Sequence, residues 1–150
     1  MEEEKRIGLI KKLPRFRPAF VDVELRTLAG KALSRDGLGK LIVSWHDQRK
    51  TPGKATLLSI MSRATSYGGL VKIITTARTA ADNLKILSLF DEQGARPIAF
   101  CMGSLGIFSR VMAMERGTPI AYGSLPGEPT APGQPSIDQL LAMRRLLRNV

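Results

Sequence analysis

The chain has 150 residues, of which 43% are hydrophobic and 24% are charged, as is usual for a globular domain. No apolar run approaches the roughly 18 residues needed to cross a bilayer, and MEEEKRIGLIKK at the N-terminus lacks the apolar core of a secretory signal. Cys101 is the single cysteine, so an internal disulfide is excluded. We expect one domain over residues 1–150, located in the cytoplasm, with no membrane partner.

The formal charge of +10 raises the question of an anionic partner. The basic residues are spread along the whole chain, and aromatic residues make up only 5% of it, without the interleaving that stacks nucleic acid bases. The charge pattern therefore disfavours nucleic acid and suits an anionic small molecule.

Five short strand-like runs alternate with helix-like stretches, and the runs start 21 to 30 residues apart. The predicted strands are Phe20–Leu25, Leu41–His46, Val71–Thr76, Pro97–Met102 and Pro119–Ser124. The predicted helices are Thr27–Ser34, Gly53–Tyr67, Thr79–Gln93, Ser104–Arg116 and Ser136–Arg148. Such alternation indicates βα units and a parallel sheet.

Two local signals support these helices. Thr51 followed by Pro52 is the expected N-cap of the second helix. The third helix has an apolar stripe at helical spacing, formed by Leu84, Leu87, Leu89 and Phe90.

Polar residues at the strand ends favour a barrel over an open sheet. Glu24, His46, Lys72 and Ser124 lie within or at the end of strand-like runs, and Ser104 follows the fourth. In a (β/α)8 TIM barrel, the chemistry lies at the C-terminal ends of the strands. A complete barrel needs eight units and about 250 residues. We therefore predict an α/β fold of the (β/α)8 type, as a partial barrel of about five parallel βα units.

Lys72 and His46 are the candidate catalytic residues. A lysine that points into a barrel is desolvated, which favours the free amine that attacks a ketone to form an imine. A histidine exchanges protons near neutral pH. Alternatively, Lys72 lies on the outer face with its head in water, and His46 is a hydrogen-bonded core residue. With one histidine and one cysteine, the sequence contains no metal constellation.

The stretch Gly103–Arg110 follows the fourth predicted strand and opens a helix. Glycines before a helix N-terminus suit anion binding, and Arg110 could hold a carboxylate with two parallel hydrogen bonds. The stretch matches neither a P-loop nor a Rossmann fingerprint, and an ordinary βα turn with Arg110 on the surface is equally compatible.

Together these segments resemble the type I 3-dehydroquinate dehydratases. The stretches that carry the resemblance run in family order over nearly the whole chain: VDVEL (21–25), SWHDQRKTP (44–52), VKIITTARTAADNLKIL (71–87), FCMGSLGIFSR (100–110) and YGS with TAPGQPSI (122–137).

The resemblance implies conversion of 3-dehydroquinate to 3-dehydroshikimate, with no cofactor and no metal. Lys72 would form the imine, and His46 would act as the general acid and base. Arg110 would hold the substrate carboxylate, while Thr130 and Gln134 would close over the substrate. Family members often carry serine at the position of Thr130, which also supplies a hydroxyl.

The resemblance also implies that the first three βα units of the family are absent, so that the chain carries the fourth to the eighth. Those units supply a Glu-x-Arg pair, a further arginine and the glutamate that orients the histidine. Asp22, Glu24 or Asp47 could partly substitute. We expect a homodimer or a chain that completes the barrel. The alternatives are an inactive binding or structural fragment, and a different Schiff-base lyase or aldolase.

Overall fold

A computed structural model describes residues 3–30, 33–34, 36–131 and 133–149. The strands are β1 (Val21–Glu24), β2 (Leu41–His46), β3 (Leu70–Thr76) and β4 (Ile98–Met102). The helices are α1 (Glu3–Ile10), α2 (Leu25–Ala29), α3 (Lys54–Thr65), α4 (Ala81–Leu87), α5 (Ile107–Glu115) and α6 (Ile137–Arg148). Within this part of the chain, no helix is both long and apolar enough to cross a membrane.

The strands form one parallel sheet in the order β1-β2-β3-β4, and a helix follows each strand. Strands that follow one another in the sequence are thus adjacent in the sheet, which is the arrangement of consecutive units in a (β/α)8 barrel. The predicted α/β fold and its partial-barrel form are confirmed.

The two faces of the sheet bury different apolar clusters, because successive side chains of a strand point to opposite sides. The outer face packs against the helices through the main core, which includes Val23, Val43 and Ile73. The inner face, which would line a barrel, carries a smaller cluster of Ile42, Ile74, Ile98 and Phe100.

The fifth predicted strand, Pro119–Ser124, is wrong in detail. Its residues form no ladder with β4, and only Ser124 makes an isolated parallel bridge, to Ser136. Pro119 has no N–H to donate. The carbonyl groups of Ile120 and Tyr122 accept hydrogen bonds from side chains, Thr118 Oγ1 at 3.0 Å and Arg110 Nη1 at 3.2 Å. The segment nevertheless continues the inner face, since Ile120 and Tyr122 pack against its cluster.

The helix signals were partly wrong. Gly53, not Thr51, is the N-cap of α3. Thr51 is buried instead, and its hydroxyl donates to the Thr76 carbonyl at 3.0 Å and lies within hydrogen-bond distance of Thr75 Oγ1, at 2.9 Å. The hydroxyl thereby ties the β2–α3 loop to β3, a long-range role that local sequence does not reveal.

The remaining helix differences are shifts of position. Leu84 is 65% exposed, and Ile86 takes the buried place beside Leu87, Leu89 and Phe90. The third predicted helix is divided into α4 and a short 3-10 turn, Ser88–Asp91. The first predicted helix, Thr27–Ser34, is represented by α2, and part of it lies outside the described residues.

Asp82 fixes the turn between β3 and α4, directly beyond the strand that carries Lys72. Burial of its carboxylate would raise the pKa, but the hydrogen bonds from Lys85 Nζ and from the backbone N–H groups of Arg78 and Thr79 outweigh this and lower the pKa of Asp82 to about 2. The folded state therefore favours the ionised carboxylate more than the unfolded state does.

Asp82→Asn is expected to lower the free energy of unfolding at pH 7 by about 2 kcal/mol. Because the folded pKa is depressed, this contribution is present above the unfolded pKa and is lost as the pH falls from about 5 to about 2. Urea unfolding across this range should show the two proteins converging in acid. Asp91→Asn, on an exposed ion pair with Arg116, is the control and should change little. A difference that stays constant with pH would contradict the assignment.

Candidate active site

The inner face of the sheet brings the candidate catalytic groups together. Asp22 and Glu24 alternate on β1 with Val21 and Val23, which are buried in the outer core. The register pairs Glu24 with Ser44 and Ser44 with Lys72. Inner-face side chains of β1, β2 and β3 therefore form a continuous polar row, which meets the apolar cluster at Ile98 of β4.

One cavity of about 270 Å³ lies on this inner face near the C-terminal ends of the strands. Its lining includes all five residues predicted from the sequence: His46, Lys72, Arg110, Thr130 and Gln134. The rest of its lining is mainly apolar and consists of Ile74, Phe100, Met102, Tyr122 and Ala131. Three strands, one helix and one loop thus converge at a single opening.

Lys72 points into this cavity, not to the outer face. Its side chain is only 13% exposed, and its Nζ lies 2.9 Å from Asp22 Oδ2 and 4.7 Å from the centroid of the Tyr122 ring. Lys72 is therefore held in place by an ion pair in this state.

His46 ends β2 and is held from one side. Its Nδ1 lies 2.5 Å from Glu24 Oε1, a contact in which the ring donates to the carboxylate. The Nε2 atom is then the ring nitrogen available to a molecule in the cavity. Of the three acidic residues considered as substitutes for the missing glutamate, Glu24 is the one that contacts His46. Asp47 instead accepts the backbone N–H groups of Arg49 and Lys50.

Arg110 on α5 is 6% exposed, not a surface residue. Its guanidinium group stacks over Phe100, with Cζ 4.1 Å from the ring centroid, and burial lowers the pKa of Arg110 to about 10. Within the described part of the chain, its buried Nε has no hydrogen-bond acceptor. Since an uncompensated buried cation is costly, the arrangement suits an anionic ligand.

The TAPGQ loop (residues 130–134) contributes Thr130, Ala131 and Gln134 to the cavity lining, and Pro132 lies outside the described residues. Gln134 Oε1 accepts the Thr130 backbone N–H and hydroxyl, both at 2.8 Å. Gly133 has φ of 68°, and a Cβ there would lie 2.5 Å from the Gly103 carbonyl carbon. Only glycine permits this close approach, so the loop docks on the turn that follows β4.

Sequence analysis did not identify Phe100 and Tyr122 as cavity residues. The two-residue alternation of β4, which places Phe100 and Met102 on one face, could have revealed the first. It also missed the contact of Asp22 with Lys72, because the register between β1 and β3 is set by β2. Among the described residues, no cluster of histidine, cysteine and acidic side chains could hold a metal ion.

Comparison with known proteins places the chain in a family. The family model for type I 3-dehydroquinase matches residues 1–149. A 3-dehydroquinate dehydratase of Methanocaldococcus jannaschii is 37% identical over 149 residues, which cover 96% of this chain and 68% of that protein. One from Pyrobaculum aerophilum is 40% identical over 142 residues, covering 94% of this chain and 47% of that protein.

Solved structures agree with the fold. The 3-dehydroquinate dehydratase of Geobacillus kaustophilus superposes with a TM-score of 0.83 at 26% identity, covering 99% of this chain and 62% of that one. The enzyme of Aquifex aeolicus gives 0.79 at 27% identity, with 99% and 69% covered. The chain thus spans about half to two thirds of the length of these relatives. It belongs to the type I 3-dehydroquinase family.

Proposed function

We propose that this chain carries the imine-forming part of a 3-dehydroquinate dehydratase, which removes water from 3-dehydroquinate to give 3-dehydroshikimate in the cytoplasmic shikimate pathway. The main support is the convergence of His46, Lys72, Arg110, Thr130 and Gln134 on one cavity. Family membership and the names of the relatives supply the substrate.

In the proposed reaction, the Lys72 amine attacks the ketone of the substrate and forms an imine. The protonated imine withdraws electrons from the adjacent carbon, which makes the proton on that carbon removable. The apolar surroundings of Lys72, including Ile74 and Phe100, limit access of water and so protect the imine from early hydrolysis.

His46 is the proposed general acid and base. Its Nε2 takes the proton beside the imine and later returns a proton to the departing hydroxyl group, which leaves as water. Glu24 holds the ring through Nδ1 and stabilises the imidazolium that forms between the two steps. The 2.5 Å contact fits a role in proton transfer, because it fixes the ring orientation and leaves Nε2 free for the substrate.

Arg110 is proposed to bind the substrate carboxylate. The buried guanidinium has an unused donor at Nε, and an anion would supply the missing acceptor. Thr130 and Gln134 are proposed to exchange their mutual hydrogen bonds for bonds to the substrate when the loop closes. An aldolase would require a phosphate pocket, for which the TAPGQ loop provides no cation.

The open sides of the sheet support a proposed partner: a polypeptide that carries the three βα units ahead of β1. Exposed large apolar side chains occur ahead of β1, at Leu9, Phe16 and Phe20, and on α6, at Leu141 and Leu146, although Leu84, Phe108 and Leu125 are exposed as well. The unpaired edge of β1 offers a strand-pairing site. The share of the solved relatives that this chain leaves uncovered, 31 to 38%, is enough for such units.

Incubation of the chain with 3-dehydroquinate and borohydride is expected to give a reduced adduct on Lys72, located by peptide mass spectrometry. Lys72→Ala should abolish the adduct and turnover, while Lys54→Ala, on an exposed lysine, should retain both. His46→Ala should lower turnover at least about 100-fold, because proton transfer by a positioned histidine contributes that much. An adduct on another lysine would refute the assignment.

The same assay tests the partner. If the chain needs the three βα units of the family that this sequence does not span, adding a polypeptide with those units should raise turnover from near zero, and sedimentation should show a complex. Phe16→Asp and Leu146→Asp should weaken that complex, while Leu84→Asp, on the equally exposed middle helix, should not. Full turnover by the chain as a monomer would contradict the need for a partner. Absence of turnover with an intact complex would favour the alternative, an inactive binding or structural fragment.

A further inference from the structure

The mechanism above leaves one side chain at the reacting nitrogen without a role. Asp22 Oδ2 lies 2.9 Å from Lys72 Nζ, and among the described residues this is the hydrogen bond that Nζ donates. The other inner-face carboxylate of β1, Glu24, is already engaged with His46. Each of the two reactive groups therefore has its own carboxylate from the same strand.

Imine formation requires two proton movements at Nζ itself. The ammonium group must lose a proton before the amine can attack, and the hydroxyl group of the resulting carbinolamine must gain one before it can leave as water. A carboxylate in direct contact with Nζ can serve both movements in turn. His46 contacts Glu24 through Nδ1, and within the described part of the chain it makes no hydrogen bond to Nζ.

We propose that Asp22 is a catalytic residue that relays the proton of imine formation, an inference that rests on the proposed function. Asp22 takes a proton from the Lys72 ammonium, and the neutral amine forms a bond to the ketone carbon. A proton moves from that nitrogen to the ketone oxygen. Asp22 then returns its proton to this hydroxyl group, the C–O bond breaks, water leaves, and the carboxylate is restored beside the iminium ion.

The surroundings of the pair fit this exchange. The Lys72 side chain is 13% exposed and that of Asp22 is 38% exposed, so the amine is shielded while the carboxylate has a path for water. The other charged or titratable groups around the cavity are Glu24 on β1, His46 on β2, Arg110 on α5 and Tyr122, whose ring lies against Nζ. Tyr122 offers the ammonium a ring face but no base at this contact.

Asp22→Asn removes the ion pair and the relay together, and two reactions of Lys72 tell the relay from a structural role. The rate of borohydride-trapped adduct formation with 3-dehydroquinate should fall about 100-fold at neutral pH. Acetylation of Lys72 by acetic anhydride, which needs access to the amine but no proton for a carbinolamine, should not become slower. Both rates are read from the same Lys72 peptide by mass spectrometry in the full chain.

Slower trapping without slower acetylation is the signature of a relay. If trapping does not become slower, Asp22 only restrains the amine, and if both rates fall together, it only shapes the cavity; either result would overturn the proposal. Asp22→Glu should recover part of the trapping rate. Asp138→Asn, an exposed carboxylate on α6, should leave both rates unchanged.

The wild-type chain separates this proposal from the one on which it rests. If wild-type protein forms no Lys72 adduct, with or without the missing βα units, the proposed function fails and the relay fails with it. If wild-type protein forms the adduct and Asp22→Asn forms it equally fast, the relay alone is wrong and the dehydratase assignment stands.

Discussion

The register of three parallel strands is the constraint on which the candidate site depends. Glu24, Ser44 and Lys72 share one level across β1, β2 and β3, and side chains alternate between the two faces of each strand. A slip of one residue in β1 would turn both carboxylates into the helix-packed core and place Val21 and Val23 in the cavity. The buried valines therefore enforce the pairing of Asp22 with Lys72 and of Glu24 with His46.

Contacts on the outer, helix-facing side of the sheet support the same register. Thr51, Thr75 and Cys101 form a buried polar cluster on the outer face, with Thr75 Oγ1 3.2 Å from Cys101 Sγ. Because buried hydroxyl groups are costly when unpaired, this cluster resists sliding of β3 against β4 and against the loop after β2. Contacts on the outer face thus fix the relative positions of the strands whose inner-face side chains form the candidate site.

Sequence alone predicted the four strands of the sheet, because each is a local apolar run. The site residues came from local chemistry and from the family resemblance; they line one cavity, and their roles stay predictions. β2 coincides with the predicted run Leu41–His46, since an apolar run with a polar end has few other interpretations. The prediction of the fifth strand was wrong because carbonyl groups of Pro119–Ser124 accept hydrogen bonds from the side chains of Arg110 and Thr118. No local sequence pattern reveals these bonds. The Asp22–Lys72 ion pair was missed for a similar reason, since its members are 50 residues apart.

The charges around the cavity bear on how the proposed chemistry would run. Arg110 and Lys72 are balanced by Asp22 and Glu24, so the cavity is close to neutral while His46 is neutral. A substrate carboxylate at Arg110 would add one negative charge inside a largely apolar lining. In the proposed proton transfer, that negative charge would offset the positive charge that His46 gains. Binding of the anion would thereby stabilise the charge distribution that the proton-transfer step creates.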